Sequence, residues 1–348
     1  MAKKSSKMIG KMAFAALLLV IALSYSWTYT DHGRLDYRAA VSLKLTSFDV
    51  PFKPDPESDF EITLPVNLIY AASGLLPAAQ VERTQDIDIP FEQGTIPARI
   101  YWPLQPLSDK PPLIVYYHGG GFVVGSVDIF DSLTREIAAE TGAIVVSVEY
   151  RLAPKYPYPA AVDDAFAALL WAADAAASLG ADPNQLLVGG DSAGGNLAAV
   201  TALRARDEGR PALKGQILYY PAVDVGSGAS WPSETHFRDG YGLSTESMEG
   251  FQAAYIPSDA DRHDPYLAPY RAADVSGVAP ALMVTAGFDP LTDSAKAYAV
   301  RLVESGVRVQ SAHFPRMIHG FMSVDLFSQQ DQAIAQTVAF VRSVAGGG

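Results

Sequence analysis

Cysteine is absent from the 348-residue chain. That excludes disulfides, thiolate metal sites, a cysteine nucleophile and a lipid-modified N-terminal cysteine, and leaves either redox compartment open. Positive charge is scarce as well: 26 Lys and Arg stand against 38 Asp and Glu, a formal net charge of −12. This argues against nucleic acid as a partner, because phosphate binding needs clustered cations. There is no internal repeat and no low-complexity tract beyond the terminal "GGG". Nor does any apolar run reach the roughly 20 residues that a bilayer span needs.

The strongest apolar run is "MAFAALLLVIAL", Met12 to Leu23; Lys3, Lys4, Lys7 and Lys11 precede it, and no charge follows until Asp31. This order marks residues 1–30 as a signal peptide or a signal anchor. Tyr25, Trp27 and Tyr29 suit the outer interface of a tilted span tethering the chain through residues 12–30, whereas Ala22, Ser24 and Ser26 suit cleavage. Either way the chain is expected to be exported, to the periplasm or beyond, or anchored to the membrane.

With 49% hydrophobic and 18% charged residues, the body (31–345) is expected to fold throughout as a single domain. From Asp86, "DIDIPF" and "TIPARIYWP" flank "EQG" and predict an antiparallel hairpin. The period then changes. "LIVYYH", "AIVVSVEY", "LLVGG", "QILYYP" and "ALMVTAG" are short runs of the buried parallel type, separated by helical stretches such as "AAVDDAFAALLWAADAAASLG". The pattern predicts a doubly wound, mostly parallel α/β sheet with an antiparallel N-terminal edge. Two regions stand outside the alternation, about 33–76 and about 225–265, and are expected to form a cap together.

"GGDSAGG" contains a G-x-S-x-G match at Gly190 to Gly194, between the strand "QLLV" and the helix "NLAAVTALRARDE". A strand-to-helix elbow needs small neighbours, because the nucleophile adopts strained backbone angles and its hydroxyl must project clear. Ser192 is therefore the candidate nucleophile, and it requires a base oriented by a carboxylate. Of six histidines, His319 in "MIHGF" lies after the last predicted strand and before the final helix, the base position for the chain order Ser, acid, His. Asp289 in "AGFDPLTD" is the expected acid at a strand end, with Asp293 expected to cap or solvate the next helix.

The run "HGGGF", His118 to Phe122, costs backbone entropy and so needs a reason. Negative charge developing on a carbonyl oxygen must meet preorganised N–H donors that side chains would obstruct. His118 is expected to brace the loop. Nucleotide binding fits poorly, since no G-K-[ST] follows the run.

With "HGGGF", "YRLAPKYPYPA", "GDSAGG", "DPL" and "HGF" in this order, the chain resembles the bacterial hormone-sensitive-lipase-like esterases (family IV) of the α/β-hydrolase superfamily. The likeness runs from about Asp86 to the C-terminus, including "DGYGLSTESMEGFQAAYI" and "DPYLAPY" in the cap. It implies an α/β-hydrolase fold with a helical cap, Ser192 as nucleophile, Asp289 as acid, His319 as base, and N–H donors at Gly120, Gly121 and Ala193. Gly119 would then only make room. It further implies no metal and no organic cofactor, and small esters of short or medium acyl chain as substrates. Lys155-Tyr156 departs from the family's usual acidic residue and histidine, in a loop of structural role. Phe122, Tyr241 and Phe251 are candidates to line the substrate pocket, with cap core the competing role for Tyr241 and Phe251. The alternatives are an amidase or deacetylase acting on a decorated small molecule, and a ligand-binding receptor, which His319 disfavours. An oligomeric state is not readable from the sequence.

Overall fold

The computed structural model describes residues 23–46, 77–92, 94–228, 230–324, 327 and 329–345. The lysine run, nearly all of the apolar stretch and residues 47–76 of the expected cap lie outside the described residues. Among the described residues, no helix is long and apolar enough to cross a membrane.

After a two-stranded ribbon, β1 (Tyr29–Thr30) with β2 (Gly33–Arg34), and helix α1 (Tyr37–Thr46), the alternating segments pair as expected. β3 (Val81–Phe91) and β4 (Gly94–Pro103) form the antiparallel edge. β3 begins at Val81 rather than Asp86 because pairing continues to Pro103 of β4. Its first residues are largely solvent-exposed, so no alternation announces them.

The buried runs become β5 (Leu113–Tyr117), β6 (Ile144–Val148), β7 (Leu186–Asp191), β8 (Leu213–Tyr219), β9 (Ala281–Phe288) and β10 (Val309–Ile318). Strand order is β10-β9-β8-β7-β5-β6-β4-β3, and every pair from β6 to β10 is parallel. β10 continues through Pro315 to Ile318, which an edge strand tolerates because its outer N–H groups are unpaired.

Helices cover both faces: α2 (Asp131–Thr141), α3 (Ala160–Leu179), α4 (Ala193–Asp207), then α5 (Pro232–His236) and α6 (Thr245–Tyr255) of the cap, and finally α7 (Thr292–Glu304) and α8 (Gln330–Ala345). Alternation within β5 divides the core: Leu113, Val115 and Tyr117 pack with α3, α4 and α7, while Ile114 and Tyr116 pack with α2 and α8. In α3 the buried positions Ala161, Ala165, Leu169, Ala172 and Ala176 recur at helical spacing. Gly180 ends it in the left-handed conformation, its N–H bonded to the carbonyls of Ala176 and Ala177.

The chain leaves β5 toward β6 and returns to β7 on the opposite flank. That reversal opens a crevice at the carboxyl ends of the strands, where α/β sheets place ligands. The N-terminal segment packs near it. Leu35, Ala39 and Ala40 are buried beside Phe288 and Ile318, Asp36 N–H donates to Arg316 O at 2.8 Å, and His32 meets the rings of His236, Phe237 and Tyr241.

Candidate active site

Ser192 joins β7 to α4 at φ 55° and ψ −116°. Among the described residues only Phe122 and Tyr220 are other non-glycine positions with positive φ. Phe122 adjoins the glycine run and the Tyr220 ring lies 4.8 Å from that of His319, so the backbone strain is concentrated here. Small neighbours permit it: a Cβ on Gly190 would overlap the Gly194 carbonyl oxygen, and one on Gly194 would overlap that of Tyr117. Ser192 N–H donates to Tyr219 O at 2.9 Å, and Ser192 O accepts from Asn196 and Ala222.

Asp289 and His319 each follow the last residue of adjacent parallel strands, β9 and β10, and so emerge at the same end as Ser192. His319 Nδ1 donates to Asp289 Oδ2 at 3.0 Å, and Ser192 Oγ donates to His319 Nε2 at 2.9 Å. Asp289 is fully buried and its other oxygen accepts from Leu291 N–H at 2.8 Å. The carboxylate thereby fixes both ring orientation and tautomer, leaving the Nε2 lone pair toward the serine. The remaining histidines lie elsewhere. His313 bonds Thr285 Oγ1 within the sheet, and His32, His236 and His263 are exposed.

In the glycine run, Gly120 and Gly121 adopt φ 122° and 62°. Side chains are barred from both, since a Cβ would overlap Val124 O at Gly120 and the Phe251 ring at Gly121. Among the described residues neither N–H has an acceptor. Ala193 opens α4, where an N–H has no intrahelical partner. Gly121, Ser192 and Ala193 border one cavity beneath the cap, enclosing about 600 Å³ of space partly open to solvent.

A family model described as "alpha/beta hydrolase fold" matches residues 114–323. Carboxylesterase NlhH of Mycobacterium tuberculosis is 44% identical over 257 residues, covering 72% of this chain and 78% of the relative. The ethyl acetate hydrolase of Pseudomonas putida is 38% identical over 262 residues, 73% of this chain and 80% of the relative. Among solved structures, an esterase of Pyrobaculum calidifontis has TM-score 0.75 at 41% identity, with 80% of this chain and 90% of that chain covered. An α/β-hydrolase enzyme from the metagenome of Lake Arreo has TM-score 0.81 at 35% identity, covering 90% and 99%.

The chain belongs to the hormone-sensitive-lipase-like esterases of the α/β-hydrolase superfamily.

One sequence expectation changes against the esterase's geometry, and others are narrowed. Gly119 does more than make room: its N–H donates to Asp191 Oδ1 at 2.9 Å, and a Cβ there would overlap the Asp191 carboxylate. Substitution at Gly119 therefore pushes the loop off the elbow, and should not be milder than at Gly120 or Gly121. Tyr241 packs among Phe237, Phe288 and His32, with ring centroids 5.3–6.2 Å apart, and is absent from the cavity wall. Phe122 and Phe251 do border it, Phe122 stacking on Tyr255 at 3.9 Å. Asp293 heads α7 and also accepts from Ser233 N–H at 2.9 Å, tying the cap to that helix. His118 braces the loop as expected, stacked 4.3 Å from Tyr150, with Nδ1 2.8 Å from Gly119 O. Burial pulls its pKa down to about 4, so it is neutral.

Asp191 was not singled out by sequence, although it is the first variable position of G-x-S-x-G. It accepts from Tyr116 OH at 2.8 Å as well as from Gly119, and so joins the elbow to the glycine loop. Burial pushes its pKa up to about 6, against the opposing effects of Tyr116, Gly119 and His319. Folded protein thus holds a proton that unfolded chain has released between about pH 4 and 6. This contribution to stability is present below pH 4 and lost as pH rises through 6, by roughly 3 kcal/mol. Asn retains an acceptor oxygen for both donors. The stability of Asp191→Asn relative to wild type should therefore rise by about that amount between pH 4 and 7 in urea titrations. Parallel pH curves for the two proteins would refute the assignment.

Proposed function

We propose that this esterase cleaves small carboxylic esters of short to medium acyl chain through an acyl-enzyme on Ser192. The observation that carries the reading is the chain of hydrogen bonds Ser192–His319–Asp289 at a strained elbow. Ser192 Oγ attacks the carbonyl carbon as His319 Nε2 takes its proton, and Asp289 stabilises the imidazolium. The oxyanion is met by N–H groups of Gly120, Gly121 and Ala193. Collapse breaks the ester C–O bond, and His319 returns the proton to the departing alcohol. Water then repeats the sequence on the acyl-enzyme, releasing the acid and restoring Ser192.

The relatives' names support ester over amide bonds, and an apolar cavity with Phe122 and Phe251 in its wall suits a short acyl or alcohol group. For p-nitrophenyl esters from acetate to palmitate, kcat/KM should peak at short or medium length. A continued rise to palmitate, or equal rates on a matched anilide, would overturn the substrate assignment. We also infer export or membrane tethering from the lysine-then-apolar order of residues 3–23. N-terminal sequencing of protein from its native host distinguishes cleavage from anchoring, and recovery from the cytoplasm with residues 1–30 intact would refute both.

A further inference from the structure

The cavity beside Ser192 is walled mainly by apolar groups, among them Phe122, Val225, Leu243, Met248, Phe251 and Leu291. Four other side chains in its wall carry polar groups, and two of these are committed elsewhere. Asp224 receives both Arg271 Nε and Nη2, at 2.7 and 2.8 Å, and Trp231 Nε1 at 2.9 Å. Ser294 Oγ donates to Leu291 O at 3.0 Å.

Glu234 and Gln252 differ. Glu234 Oε2 accepts a long bond, 3.3 Å, from Trp231 N–H, a helix-capping contact that occupies one oxygen. Its other oxygen has no partner among the described residues, and no Lys or Arg pairs with it or borders the cavity. Burial raises its pKa, Trp231 N–H opposes this, and the Asp224 carboxylate raises it again, with no cation offsetting them. Gln252 lies one turn after Met248 on the same face of α6, and its amide has no partner among the described residues either. A carboxylate in a low-dielectric wall without a counter-charge repels anions and favours a cation that can reach it.

We propose that this cavity selects esters bearing a positive charge near the reacting carbonyl, with Glu234 as the residue that sets the selectivity. Gln252 contributes a second polar contact on the cap side. The inference rests on the reading of Ser192 as nucleophile, and deepens it by naming the substrate class.

The test uses isosteric pairs differing only in charge, one for each half of the ester. They are butyrylcholine against 3,3-dimethylbutyl butyrate, and the p-nitrophenyl ester of 4-(trimethylammonio)butanoic acid against that of 5,5-dimethylhexanoic acid, in which the charge is too far from the carbonyl to activate it strongly. In wild type, kcat/KM for the cation should exceed that for its neutral isostere by about tenfold or more in at least one pair. In Glu234→Gln that ratio should fall toward one, and in Glu234→Lys below it. Ratios near one in both wild-type pairs, or a cation preference surviving in Glu234→Gln, would overturn the proposal. Both outcomes are separable from failure of the nucleophile assignment, which is read from Ser192→Ala on the neutral esters alone.

Discussion

Ser192→Ala should hydrolyse p-nitrophenyl butyrate about 10⁶-fold more slowly than wild type, and His319→Ala should match it. The double variant should be no slower than either single one, since the two groups act as a unit joined by the 2.9 Å bond. Asp289→Asn should lose about 10⁴-fold, because an amide can donate to Nδ1 and so favours the tautomer with its proton on Nε2. Asp293→Asn should cost far less in turnover: its carboxylate holds Ser233 of the cap and does not touch the imidazole. Thermal melts of Ser192→Ala should stay close to wild type, as alanine keeps the same Cβ. Turnover surviving in Ser192→Ala would remove the acyl-enzyme reading, and Asp293→Asn exceeding Asp289→Asn in damage would reassign the acid.

The parts of the fold that were legible are those whose burial leaves a repeating mark. β5 and β6 are buried at every residue and read as apolar runs interrupted only by Ser147, and the alanine periodicity of α3 follows its packing. The first half of β3 left no mark because an exposed edge strand has no side to hide. Ser192, Asp289 and His319 were legible because each lies directly beyond a strand end, where chain order and topology fix position together. Asp191 and Glu234 were not. Their surroundings come from residues distant in sequence, such as Tyr116 and Gly119 for Asp191, which no local spacing announces. Tyr241 stayed open between pocket and cap core for the same reason. An aromatic residue in a cap reads alike whether it faces substrate or Phe288.

Gly194→Ala should destabilise the protein by more than about 4 kcal/mol, the range reached only by a few mechanisms, here overpacking of backbone on backbone. The new Cβ would overlap Tyr117 O and crowd His118 O, at the point where the first turn of α4 crosses the end of β5. Tyr117 has little room to yield, because it is held in register between Val148 of β6 and Gly190 of β7. Any retreat of α4 would also carry Ser192 away from His319, so residual folded protein should be nearly inactive. The comparison is Gly180→Ala at the end of α3. There φ is 89° and nothing lies within 4 Å of the new Cβ, so only backbone strain opposes it, about 1 kcal/mol. Urea denaturation of both variants measures the difference. Equal losses would mean that the elbow glycine serves backbone conformation alone, and that the close approach of α4 to β5 does not position the nucleophile.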